Sequence, residues 1–188
     1  MRRILAISVC ILLFITGCVR KDVATLSDKK NGDASSSDNS KVFVSEDDKF
    51  RLKLFINGTE FKSTDKIDIY ATLEYIGDED EIKICHSDPY FDFVITDHKG
   101  FNTGGVFASV LKYTVLKKGE VKKIPYCKSG SYSGDDPNAE FWDAFYAEED
   151  LYLPKGEYTI SGICSFTIGD EPKGNEYSKA VKAQIKVN

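Results

Sequence analysis

Five cysteines and two histidines are the side chains of this 188-residue chain best suited to nucleophilic, redox or metal chemistry. Cys18 follows an apolar run near the start, whereas Cys85, Cys127 and Cys164 are spread through the remainder. A metal set could draw on Cys85, His86, Asp88 and Cys127. Neighbouring side chains on a strand point to opposite faces, however, and the spacing matches no common zinc arrangement. No metal site and no cofactor are therefore expected. Asp78-Glu79-Asp80-Glu81 concentrates the hard oxygen donors that calcium favours, although a solvated hairpin tip accounts for the same composition. His98 falls in a turn, where a solvated imidazole is expected.

Serine chemistry is no better supported. Ser27-Asp28-Lys29-Lys30, Ser37-Asp38-Asn39 and Lys128-Ser129-Gly130 follow the order of motifs in penicillin-recognising serine enzymes, but the first two lie almost side by side in a polar segment. Such a segment cannot hold a nucleophile in place. Gly130-Ser131-Tyr132-Ser133-Gly134 has tyrosine where a nucleophile elbow needs serine, and no convergent acid, base and nucleophile emerges. The expectation is a chain that is not an enzyme.

Cys18 has a different reading. Arg2 and Arg3 precede the apolar run Ile4 to Ile15, which is shorter than the roughly 20 residues a spanning helix needs. Ile15-Thr16-Gly17-Cys18 resembles the lipobox of bacterial lipoproteins, and that resemblance implies a signal peptide over residues 1–17 and a diacylglyceryl thioether on Cys18. It implies a lipid-anchored protein on the extracytoplasmic face of a bacterial cell membrane. Two acyl chains suffice for stable attachment, at about 0.8 kcal/mol for each buried CH₂.

Removing residues 1–17 leaves 23 basic against 30 acidic side chains, a net charge of −7. That balance disfavours nucleic acid, whose binding depends on neutralising phosphates. Residues 18–49 are polar and read as a flexible tether with a root-mean-square reach of roughly 30 Å. Val42-Phe43-Val44 is an apolar exception within it. In an exported chain disulfides persist, and three cysteines allow three single bridges. Cys85 and Cys127 each follow a core-phase residue, Ile84 and Tyr126, while Cys164 shares the phase of Tyr158 and Ile160. Phase thus favours a Cys85–Cys127 bridge with Cys164 buried, against a state in which all three are reduced.

Period-two alternation begins at Phe50. It runs through Phe50, Leu52, Leu54 and Ile56, through Ile67 to Tyr75, through Phe91, Phe93 and Ile95, and returns at Tyr158 to Cys164 and Val181 to Val187. Asn57-Gly58, Gly77-Asp78, Lys118-Gly119 and Pro154-Lys155-Gly156 punctuate these runs as turns. The pattern predicts an all-β domain over residues 50–188: an Ig-like antiparallel β-sandwich of about seven strands with one short helical insertion. The helix is expected after Asp136-Pro137, running through Phe141, Trp142, Phe145 and Tyr146. Those four aromatics stand among acidic residues. They form a candidate partner surface, with packing onto the sandwich as the competing role.

The layout Tyr90 to Gly100, then Leu116-Lys117-Lys118-Gly119-Glu120, then Leu153-Pro154-Lys155-Gly156-Glu157-Tyr158-Thr159-Ile160, resembles the BsuPI-like family of intracellular proteinase inhibitors. It is similar also to immunoglobulin-like modules of bacterial surface proteins. The family's tryptophan-rich segment is replaced here by Phe101-Asn102-Thr103-Gly104-Gly105. Two functions are thus implied: a non-catalytic protein- or ligand-binding module, or a proteinase-inhibitor-like protein. Tyr158 looks like the tyrosine corner of Ig-like sandwiches, a stabilising contact.

Overall fold

Each run of alternation becomes a strand with its apolar set turned to one side. The computed structural model describes residues 40–105 and 107–188. In chain order the strands are β1 (Lys41–Glu46), β2 (Phe50–Ile56), β3 (Glu60–Phe61), β4 (Ile69–Tyr75), β5 (Glu81–Asp88), β6 (Phe91–Thr96), β7 (Ala108–Lys117), β8 (Val121–Pro125), β9 (Gly156–Ile168) and β10 (Asn175–Val187). The helix α1 (Ala139–Ala147) lies between β8 and β9. One sheet has the order β1-β2-β4-β8; the other has β3-β10-β9-β5-β7, with β6 also paired to β9. All pairings are antiparallel except that of β3 with β10.

The core lies between the sheets. Phe50, Leu52, Leu54 and Ile56 stand opposite Tyr75, Leu73, Ala71 and Ile69, and all eight are buried. From the other sheet come Tyr158, Ile160, Cys164 and Phe166 on β9, with Val181, Ala183, Ile185 and Val187 on β10. Burying each large aliphatic side chain is worth about 1.5–3 kcal/mol. Gly162 interrupts the β9 set for a steric reason. A Cβ there would lie 2.9 Å from the Phe91 ring and 3.4 Å from Val181 Cγ1, so its absence makes room for the ring.

Ten strands form among the described residues rather than about seven, and the additional ones lack a one-sided alternation for differing reasons. β7 and β8 lie at sheet edges; β7 exposes successive residues, and β8 alternates in exposure but reads Val-Lys-Lys-Ile-Pro, so neither sequence carries an apolar period of two. β5 is buried on both faces at Ile84, Cys85 and His86. The sheet also starts at Lys41, ahead of the boundary expected at residue 50. β1 is an edge strand in which Phe43 packs against the core while Val42 and Val44 face outward.

β5 and β6 run along the same edge of β9. Ile84 and Cys85 pair with Ile168 and Thr167, and pairing resumes at Phe91 with Cys164. Residues 86–90 therefore stand against only Ser165 and Phe166, and the surplus bulges away from β9. This excursion carries Asp88 over to Ala108 of β7.

Two polar devices fix turns, and the first also ties the two sheets together. In the β1–β2 turn, Asp47 Oδ1 accepts from the backbone N–H groups of Lys49 (2.9 Å) and Phe50 (2.8 Å). Its Oδ2 accepts from Tyr177 Oη (2.7 Å) and Lys179 Nζ (2.9 Å) of β10, in the opposite sheet. The second device is the Tyr158 hydroxyl, which donates to the Pro154 carbonyl at 2.9 Å, the tyrosine-corner contact. The helix starts later than Asp136, with Asn138 at its N-cap and no side-chain capping bond. At its other end Lys128 Nζ donates to the carbonyls of Phe145 (2.7 Å) and Glu148 (2.5 Å), satisfying acceptors that a helix terminus leaves unpaired.

Candidate functional site

Cys18, the signal over residues 1–17, the serine motifs at Ser27 and Ser37, and the expected tether as far as residue 39 lie outside the described residues. The three remaining cysteines are free thiols. The expected Cys85–Cys127 bridge does not form, because Cys85 belongs to the six-stranded sheet and Cys127 follows β8 of the four-stranded one. Phase reports which face a residue takes, not which sheet. Cys85 is buried between its register partners Tyr113 and Thr167, and Cys127 is exposed. Cys164 is buried as expected, and that burial pushes its thiol up to about 11.

The histidines are occupied by structural bonds. His86 Nε2 lies 2.8 Å from Thr114 Oγ1 and Nδ1 lies 2.5 Å from the Ser87 carbonyl, with the Tyr90 ring edge-on at 4.9 Å. A ring N–H to the Ser87 carbonyl leaves Nε2 to accept the Thr114 hydroxyl. His98 takes a turn position at φ 58° with Nε2 3.2 Å from Thr159 Oγ1. Asp88 pairs with Lys112 at 2.5 Å. Asp78, Glu79 and Asp80 between β4 and β5, and Glu81 at the start of β5, stay exposed. Among the described residues no three His, Cys, Asp or Glu side chains gather as a metal site.

Among the described residues Asp92 is the one buried carboxylate. Gly105 presses so close that a Cβ would fall 1.8 Å from Oδ2, and Ser129 Oγ donates to Oδ1 at 3.2 Å. Burial pushes this carboxyl above its ordinary value against the hydrogen bonds from the Phe93 backbone and Ser129. Neither imidazole is its partner.

Most of the helix aromatics take the competing role and pack onto the sandwich. Trp142 is 8 % exposed and Phe145 is buried as well. Both pack on Phe101, with ring centroids 5.1 Å and 5.7 Å away, and Phe101 in turn meets the Tyr158 ring at 5.3 Å. Tyr146 is half-buried and stacks on Trp142, so Phe141 alone of the four is substantially open. An amphipathic helix laid on a sandwich turns its largest rings inward.

The longest run of open apolar side chains lies on β7 and the residue just before it, beyond the exposed Val42 and Val44 of β1 and Val121 of β8. Phe107, Val110, Leu111, Tyr113 and Val115 are all exposed, Leu111 by 55 %. One edge of β7 pairs with β5: Tyr113 stands opposite Cys85 and Val115 opposite Lys83 on the outer face, with Thr114 opposite Ile84 on the core face. No strand among the described residues covers the other edge. Lys83 Nζ sits 5.0 Å over the Tyr113 ring, holding it against the sheet. Natural edge strands are commonly blunted by charged side chains, above all lysine, by proline, by bulges or by a short run. β8 follows that rule with Lys122, Lys123 and Pro125, and β3 has two residues. β7 has ten residues, no proline and two lysines. Its sequence signal was Val110-Leu111 followed by Tyr113 and Val115, apolar side chains on both faces of one strand. No protein-family model, curated protein or solved structure matches the chain.

Proposed function

We propose that this chain is a lipid-anchored lipoprotein of the extracytoplasmic face of a bacterial membrane, whose sandwich is a non-catalytic protein-binding module. The observation that supports binding is the uncovered β7 edge, which offers backbone donors and acceptors beside exposed apolar side chains. Strand addition uses those two features: the main chain supplies affinity and alternate side chains supply selectivity. The anchor rests on Ile15-Thr16-Gly17-Cys18.

The two parts are tested separately. Cys18→Ala is expected to release the protein from membranes on alkaline extraction; full retention would overturn the anchor. In intact cells, chemical crosslinking of the chain through its β7 side is expected to give a discrete adduct that Leu111→Lys removes. An adduct unchanged by Leu111→Lys would place binding elsewhere.

A further inference from the structure

Deepening that reading, on which it rests, we infer that the partner of β7 is the β7 strand of a second copy of this chain, paired antiparallel about a two-fold axis. In an antiparallel ladder, opposed residues direct their N–H and C=O groups either both toward or both away from one another. A two-fold axis between identical strands therefore allows only registers in which opposed residue numbers share parity. Among the registers centred on residues 111–114, side-chain chemistry separates the choices.

With Lys112 on the axis, two ammonium groups face each other, which is destabilising. With Leu111 on the axis, Tyr113 meets Ser109 and Lys112 meets Val110. With Thr114 on the axis, Leu111 meets Lys117 and Lys112 meets Leu116. With Tyr113 on the axis, the two tyrosines meet, Leu111 meets Val115 on the same outer face, and Lys112 meets Thr114 on the other. This last register joins apolar to apolar and opposes no like charges. In this register Lys112 keeps its ion pair with Asp88 of its own chain at 2.5 Å and meets no second ammonium group. Because same-parity residues face the same way, the outer faces of both copies continue as one sheet.

A second copy also has an entropic advantage over a free peptide. A disordered strand must fix its backbone on binding, at about 1–2 kcal/mol per residue. β7 is already ordered by β5 along residues 112–117.

The test replaces Tyr113 with the photoreactive residue p-benzoylphenylalanine in the full chain and illuminates intact cells. The expected product has twice the mass of the chain, with the crosslink joining two β7 peptides, and is lost on adding Leu111→Lys. Retention of the urea midpoint by Leu111→Lys shows that the sandwich remains folded. An adduct to a different protein overturns the second copy and leaves β7 as a binding edge. No adduct at any mass overturns both. In parallel, the full chain purified in detergent is expected to sediment as a dimer at tens of micromolar; a monomer there overturns the inference.

Discussion

Asp47→Ala removes the clip between the sheets, and its cost follows from four hydrogen bonds. Two come from the backbone of its own turn and two from Tyr177 and Lys179 across the sandwich. Hydrogen bonds to a charged group are worth about 1.5–3 kcal/mol each when buried. Asp47 and Lys179 side chains are 30 % and 18 % exposed, so water replaces part of what is lost. The net cost is expected at about 2–4 kcal/mol at pH 7, or roughly 5–15 °C in Tm for a chain of this size.

The pH dependence gives a sharper criterion. Burial pushes the Asp47 carboxyl up, but Lys179, the Phe50 N–H, Tyr177 and the Lys49 N–H together hold it well below the usual carboxylate range. A carboxyl lowered by folding stabilises the native state fully above its unfolded pKa, about 3.9, and loses that contribution as pH falls through the folded value. The wild type should therefore lose stability relative to Asp47→Ala by about 1.4 kcal/mol per pH unit below pH 4. Urea unfolding of both proteins at pH 7 and pH 3 measures this. A gap under about 0.5 kcal/mol at pH 7, or one that does not shrink at pH 3, would refute the clip.

Gly162→Ala places a methyl group against the Phe91 ring and is expected to cost about 1–3 kcal/mol by overpacking, read as a lowered urea midpoint. Asp92→Asn should behave oppositely to the clip. Burial raises the Asp92 carboxyl, so its ionisation costs native stability as pH rises from about 4 through the folded value. The variant should therefore gain on wild type between pH 4 and pH 7, and a gap constant over that range would contradict the assignment. Tyr158→Phe deletes the hydroxyl bonded to the Pro154 carbonyl and should lower stability by about 1 kcal/mol, checked by thermal unfolding. The purified chain is expected to slow no extracellular serine protease in a panel assay; inhibition of any member would favour the inhibitor-like reading.

How far the residues disclose the fold depends on burial geometry. β2, β4, β6, β9 and β10 each have one face on the core, so hydrophobicity alternates and the strands are legible. The Gly156 turn followed by Tyr158 likewise predicts the corner contact that forms. α1 is legible through Phe141, Trp142, Phe145 and Tyr146, but which of these rings are covered depends on Phe101, a residue forty positions away in the chain. β5 and β7 escape the same reasoning for opposite reasons. β5 is covered on both faces near Cys85, whereas β7 is open on both near Leu111. Sheet membership of Cys85 and Cys127 is decided by long-range pairing, which no local period records. The edge at β7 was thus hidden by the feature that distinguishes it, apolar side chains on successive residues with no core behind half of them.

The far side of the six-stranded sheet has a consequence for how such contacts propagate. There the two-residue β3 lies parallel to the end of β10, Asn188 N–H donates to the Phe61 carbonyl at 2.8 Å, and Lys182 and Lys186 stand exposed along β10. That margin is poorly matched to an incoming apolar strand, so this sheet can grow in one direction and not the other. In the two-fold pairing inferred above, association through it would stop after a single event instead of running on into fibres, because a self-complementary patch is consumed by its own pairing.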